Sequence, residues 1–309
     1  MTLPIERIST VTVPSASYQL VDLPTMKAEL SIPAADTSND TVLTREIAYI
    51  SQLIINNCSS PFAPFALEQR QDLVQFGRDP SFAGRFGGEN EIALARCPVI
   101  SVASVVQSLP NGAARTLLAG TDFLADLAQG RLLRLRSNGL VQRWEALPLT
   151  IQYTGGYGTL VSGEAAAVPG EAPFTVSPIN GMTFAFDQGV AYANGDALES
   201  VAANPAAGQY AVSYSVTGGA IYSFAAADAG AVVELSYGYN IIPADLISHC
   251  LQIITGRFAA RGRDPSLMME QTSDVGVKRY WVGSTSGQSG ALPPDIDAAL
   301  DTYRMPRTY

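Results

Sequence analysis

Between residues 174 and 239 six short β-forming runs follow one another: FTV, MTFAF, GVAYA, GQYAVSY, AIYSFAA and AVVELSYGY. Gly, Asn, Asp or Pro separates them at intervals near ten residues. That spacing suits short strands and tight turns rather than helices, and it points to a small all-β sandwich or barrel. The preceding stretch, VSGEAAAVPGEAP (161–173), is made of small residues, Gly, Pro and Glu and reads as a linker. The strand-like ending LTIQYTGGYGTL (149–160) is echoed by VELSYGYNIIPADL (233–246), which now runs into a helix. A chain that finishes the same piece of structure twice has been interrupted. Residues 161–236 are therefore expected to form an inserted all-β domain, and residues 1–160 with 237–309 its host.

The host pattern is mixed. Residues 1–22 alternate loosely, as an arm or edge strand does, and LPTMKAEL (23–30) fits one short helix. TSND (37–40) supplies N-cap residues, and Leu43, Ile47, Ile50 and Ile54 follow on one helical face. CPVISVASVVQSL (97–109) is a Val/Ile-rich strand, LLAGTDFLADLAQGRLLRL (117–135) gives two strands around a Gly turn, and ALPLTIQYTGGYG (146–158) gives another. After Pro243 comes a helix with a wide apolar face, Leu246, Ile247, Cys250, Leu251, Ile254 and Phe258. An extended Ser/Gly-rich stretch (272–290) leads to a short helix in LPPDIDAALDTYRMP (292–306). The fold expected is α+β: a helical-bundle host carrying a small antiparallel sheet, plus the inserted β domain.

Composition narrows the function. The 309 residues suit two domains. A net charge of −9 argues against a sequence-specific nucleic-acid reader, which presents a basic face to phosphates. Charged residues make up only 15%, which fits β-rich structure or surface buried between subunits. Cys58, Cys97 and Cys250 are odd in number and mutually distant, so they read as buried free thiols rather than a zinc or redox set. No signal-peptide pattern or apolar run of membrane length stands out, so the expectation is a soluble protein made in a reducing cytoplasm.

Tests for catalysis find little. His249 is the only histidine, so no His-pair metal site is available, and it reads as a partly buried structural residue of the second long helix. GSTSG (283–287) puts Thr285 where a nucleophile elbow needs Ser, and TGGYG (154–158) and GRFGGEN (84–90) lack the P-loop Lys and the dinucleotide spacing. The aromatic residues of the C-terminal segment are more informative. Tyr280, Trp281, Tyr303 and Tyr309 lie among Arg279, Arg304 and Arg307, the residue types that anchor protein interfaces. Two readings stay open for Trp281 and Tyr303: anchors for a partner, or packing on their own domain.

In order and spacing the host segments resemble the head–tail connector, or adaptor, proteins of long-tailed bacteriophages. LPTMKAELSIP and SNDTVLTREIAYISQLIINNCSSPF resemble that family's short helix and first long helix. LARCPVISVASV, GTDFLADLAQGRLLRL and LTIQYTGGY resemble its strands, and IIPADLISHCLQIITGRFAARGRDP its second long helix. GVKRYW and LPPDIDAALDTYRMP resemble its C-terminal tail, while the insertion is absent from the simplest members. The resemblance implies a structural virion protein, not an enzyme, with no cofactor and no metal. It implies a homo-oligomeric ring, commonly of twelve copies, below the portal, assembled into the virion neck after synthesis in the host cytoplasm. DNA would pass through the lumen without sequence-specific contact, and no membrane is involved. The portal protein would be gripped by the tail, with Tyr280, Trp281, Tyr303 and Arg304 among the contacts, and a tail or tail-completion protein would bind below. Two other readings compete: a virion surface module whose β insert contacts capsid or host glycan, and a carbohydrate-active enzyme with an accessory β domain.

Overall fold

The computed structural model describes residues 5–58, 65–76, 91–145, 147–259, 261, 269–272, 276–279, 292 and 294–303. The chain divides into two compact units, residues 1–17 with 65–241 and residues 18–64 with 242–309. Strand outweighs helix, 41% to 24%. The expected α+β fold with a helical-bundle host is therefore corrected: among the described residues strands dominate, and no helical-bundle host is evident.

Among the described residues of the first unit the regular elements are strands and two 3-10 turns. Its elements begin with β1 (Ile5–Val13), β2 (Glu68–Phe76), β3 (Glu91–Ala93), β4 (Val99–Ser108) and β5 (Ala114–Leu117). Then come β6 (Phe123–Asp126), β7 (Arg131–Leu135), β8 (Val141–Gln142) and β9 (Leu149–Gly155). A five-stranded sheet runs β1-β2-β9-β4-β5, and a smaller one runs β3-β7-β6 with β8 paired to β7. Their shared core holds Val74, Val105, Phe123, Leu132, Trp144 and Ile151.

β2 is the strand that hydrophobic patterning misses. Its alternation is inverted: Glu68, Arg70 and Asp72 face inward and are 0–3% exposed. They form a buried ionic network instead of an apolar stripe. Arg70 pairs with Glu68, and its Nε donates to Ser9 Oγ at 3.1 Å. Asp72 accepts from Ser9 Oγ, from Ala95 N at 2.9 Å and from Tyr153 OH at 3.2 Å. Burial pushes the Tyr153 hydroxyl well above its usual pKa, with the Asp72 charge adding to it. Burial also lowers the Arg96 guanidinium to about 10, which leaves it charged at neutral pH.

The Gly-rich TGGYG stretch belongs to this packing. Gly156 has φ +118°, and a Cβ there would lie 2.4 Å from the Ala66 carbonyl oxygen. A Cβ on Gly158 would lie 2.4 Å from Tyr239 O. These glycines allow close backbone approach rather than cradling a phosphate.

The same unit continues with β10 (Gly158–Ala167), β11 (Thr175–Val176), β12 (Phe184–Tyr192) and β13 (Glu199–Ser200). It ends with β14 (Gln209–Ser215), β15 (Gly219–Phe224) and β16 (Val232–Asn240). Two sheets result, β10-β16-β12 and β11-β15-β14-β13. They share a core of Val190, Tyr210, Tyr222, Phe224, Leu235 and Tyr237. β10 runs through residues 160 and 161 without a break, and β16 through 236 and 237. At that junction Ala185 and Phe186 of β12 cluster with Leu67 and, half-buried, Val13, Ile100 and Leu160. Asn240 accepts from Leu67 N at 2.7 Å and donates to Ser15 Oγ at 3.3 Å.

The second unit contains α1 (Leu23–Glu29), α2 (Asp40–Cys58), α3 (Ala244–Ala259) and α4 (Pro294–Ala299), the last continued by a 3-10 turn, Leu300–Tyr303. It also contains a hairpin of β17 (Met269–Thr272) and β18 (Gly276–Arg279). Asp22 caps α1 through Thr25 N. The apolar face at Leu43, Ile47, Ile50 and Ile54 is fully buried, as are Leu246, Cys250 and Ile254. α2 packs on α3, and Arg257 Nε meets Glu46 Oε2 at 2.9 Å. Cys58, Cys97 and Cys250 are free thiols, and burial pushes the Cys250 thiol up to about 12. Among the described residues no helix is long and apolar enough to cross a membrane.

Candidate functional site

The C-terminal segment, from about Gly276 to Tyr309, is where sequence reasoning placed the partner contacts, and the short helix Pro294–Ala299 is its main described part. Leu292, Ile296 and Leu300 are buried within the second unit. Asn57 Nδ2 of α2 donates to Asp297 Oδ1 at 3.4 Å. Tyr303 follows at the end of the 3-10 turn, half-buried, and its hydroxyl donates to Asp245 at 2.6 Å. Asp245 lies in the first turn of α3, where a negative charge suits the helix dipole. The Tyr303 hydroxyl is the main reason its carboxyl is held below the usual carboxylate range. Tyr303 is thus tied to its own unit through its hydroxyl while part of its ring meets solvent. Tyr280, Trp281 and Arg304 lie outside the described residues. The stretches GRFGGEN and GSTSG also lie outside them.

His249 sits one turn after Asp245 on α3. It is half-buried, and its Nδ1 has no hydrogen-bond partner. Among the described residues no group of His, Cys, Asp and Glu has the arrangement of a metal site.

A feature that sequence reasoning missed is the placement of charge. From Arg143 to Arg257 the sequence contains no Lys or Arg but nine acidic residues, Glu145 through Asp245. That excess equals the net charge of the whole chain, −9, so the remainder balances. The signal was readable as a gap in basic residues; its meaning needed the fold. Elsewhere in the first unit carboxylates meet arginines, as Asp122 does with Arg115 and Arg134. In residues 158–240 they meet tyrosines. Asp187 accepts from Tyr222 OH at 2.9 Å and from Tyr210 OH. Glu164 accepts from Tyr237 OH at 2.5 Å and Asp228 from Tyr192 OH at 2.6 Å. Burial, followed by the neighbouring carboxylate, raises the hydroxyl pKa of Tyr210, Tyr222 and Tyr237; for Tyr192 the Asp228 hydrogen bond leads. A neutral hydroxyl satisfies a carboxylate without cancelling its charge. These strands therefore keep an acidic character that no internal cation relieves. The aromatic residues of 158–240 are all buried or half-buried.

Two surfaces of the first unit face solvent with few charges. On the five-stranded sheet a neutral polar row crosses four strands: Thr10 donates to Gln71 O, Gln152 to Gln71 and Ser104 to Gln152. On the small sheet, Phe123 and Leu132 turn to the core, so Leu124 with its cross-strand partner Leu133, and Leu135 with its partner Val141, point outward. Leu124, Leu140 and Val141 are 50%, 62% and 49% exposed.

No protein-family model matches the chain, and no curated protein matches it. Among solved structures it is similar to a chain in the neck of an empty gene transfer agent particle computed with C6 symmetry. The TM-score is 0.30 and the identity 14%, over 50% of this chain and 72% of that one. It is also similar to a chain in the virion of a native gene transfer agent particle, with a TM-score of 0.28 and 15% identity over 48% of this chain and 72% of that one. TM-scores of this size do not establish a shared fold.

Proposed function

We propose that this protein is a structural component of a phage-like virion neck: a homo-oligomeric ring below the portal that joins head to tail and lets DNA pass. The observation that carries the reading is the order of the connector-like segments along the chain. They coincide in turn with α1, α2, β4, the β6–β7 hairpin, β9, α3 and α4. The acidic balance supports it, because a lumen that held phosphates tightly would brake DNA exit. In this reading residues 1–160 and 237–309 act as the connector host and 161–236 as its insert. Tyr280, Trp281, Tyr303 and Arg304 contact the portal, and a tail-completion protein binds the opposite face. Imaging of particle necks carrying the tagged full-length chain tests this. A ring of copies at the head–tail junction is expected; particles whose necks lack the chain overturn it.

A further inference from the structure

We propose that the outward face of the β6–β7–β8 sheet is one half of a head-to-tail contact between copies of this chain, and that the outer face of the β10–β16–β12 sheet of the next copy, around Glu234, is the other half. The inference rests on the ring reading above and names the surfaces that would close the ring.

The first half is apolar with a cationic rim. Leu124, Leu133, Leu135 and Val141 form two outward cross-strand pairs, and Leu140 in the adjoining turn is the most exposed of the set. Arg136 and Arg143 flank that turn, and both are exposed. Among the described residues neither has an ion-pair partner, whereas Arg115, Arg131 and Arg134 each do. An exposed apolar strip rimmed by unpaired arginines has the apolar centre and polar rim of an interface.

The occupant follows from charge complementarity. Two unpaired cations and an apolar strip call for a surface with an unpaired carboxylate and no cation of its own. This chain carries such a surface on the β10–β16–β12 sheet. On its outer side Val232 is 48% exposed, and Glu234 follows two residues along β16. The residues registered with Glu234 on the flanking strands are small, Ala165 on β10 and Ala191 on β12. That face is flat enough to receive protruding leucines, with a carboxylate at its centre for an arginine. Among the described residues no carboxylate of residues 158–240 takes part in an ion pair, so none is already neutralised. The two halves are different surfaces of one chain. The contact is therefore heterologous, and repeated rotation closes it into a ring or extends it as a filament.

The test uses the full-length chain with sedimentation velocity and circular dichroism. Arg136→Glu with Arg143→Glu should keep the wild-type spectrum and weaken self-association about 100-fold or more, because like charges then face each other. Val232→Arg with Glu234→Arg should do the same from the other side. An equimolar mixture of the two double variants should recover association, since each supplies one intact surface and the two charge-reversed surfaces are again opposite in sign. The contact is overturned if either double variant associates like wild type, or if the mixture associates no better than either variant alone. If it is overturned while wild-type rings are still seen in particle necks, the ring reading stands and its surfaces lie elsewhere. If the wild-type chain is monomeric in solution the contact is overturned, and if it is also absent from necks the ring reading falls with it.

Discussion

Substituting Asp72 tests whether the inverted strand β2 is held by its ionic network. The carboxylate is fully buried and accepts from Ser9 Oγ, Ala95 N and Tyr153 OH, beside Arg70 and Glu68. Asp72→Ala removes one anion from this set and strands three donors in a dry site. Breaking a buried ionic arrangement by deleting one partner costs about 3–5 kcal/mol. Asp72→Asn keeps the volume and one carbonyl acceptor, so the loss falls to about 1.5–3 kcal/mol, the range for hydrogen bonds to a charged group. Tyr153→Phe removes a single donor and leaves two, for about 1–2 kcal/mol. Each kcal/mol shifts the melting temperature of a unit this size by about 2–4 °C, so Asp72→Ala should lower it by about 6–20 °C. Calorimetry on the full chain, with urea melts for the free energies, gives the comparison. Equal losses for the Ala and Asn variants, or a loss below about 1 kcal/mol for Ala, would refute the network as the reason this polar strand is buried.

Other perturbations have expected outcomes. Ile50→Asp puts an unpaired charge into the buried face of α2 and should leave the second unit unfolded, read as loss of helical circular dichroism. Tyr303→Phe removes the main cause of the lowered Asp245 pKa. A depressed carboxylate contributes stability above its unfolded pKa, about 4, and loses it as pH falls through the folded value. The variant should raise the Asp245 midpoint in a carboxyl NMR titration and flatten the loss of stability below that pH. Replacing Tyr280, Trp281 and Arg304 together with Ala should leave the chain folded but weaken its binding to portal-bearing heads, at about 2 kcal/mol for each central anchor; full affinity by pull-down would reassign the contact.

What was readable in advance depended on whether burial meant apolar. Leu43, Ile47, Ile50 and Ile54 announce α2 by spacing alone, and Leu246, Cys250 and Ile254 announce α3. The Val-rich β4 and the Gly turn between β6 and β7 were equally open. β2 was not, because Glu68, Arg70 and Asp72 occupy the inward positions while Gln69 and Gln71 alternate with them. Their partners, Ser9 and Tyr153, come from strands distant in sequence, so no local window reports them. The helical-bundle expectation failed for the same reason: with β2 unseen, the sheet looked too small to be a host. At the candidate site, composition singled out the C-terminal aromatics but could not reveal that Tyr303 would find Asp245 at the start of α3.

The two ways of satisfying carboxylates lead to a last prediction. In the five-stranded and small sheets, Glu68, Asp122 and Glu91 face arginines, so most of their field is cancelled at short range. In residues 158–240, Asp187, Glu164 and Asp228 face tyrosine hydroxyls, which cancel nothing. The strands they occupy therefore carry self-repulsion that only mobile ions can relieve. The screening length falls from about 30 Å at 0.01 M salt to about 3 Å at 1 M. Added salt should accordingly slow hydrogen exchange in β10, β12 and β16, while β2 and β7, held by internal ion pairs, gain less or lose. Sulfate strengthens burial everywhere, so chloride is the salt to use. Comparable protection changes in both groups of strands would mean that the acidic charge is too dispersed to act as a field, and the tyrosine pairing would then be a local packing device only.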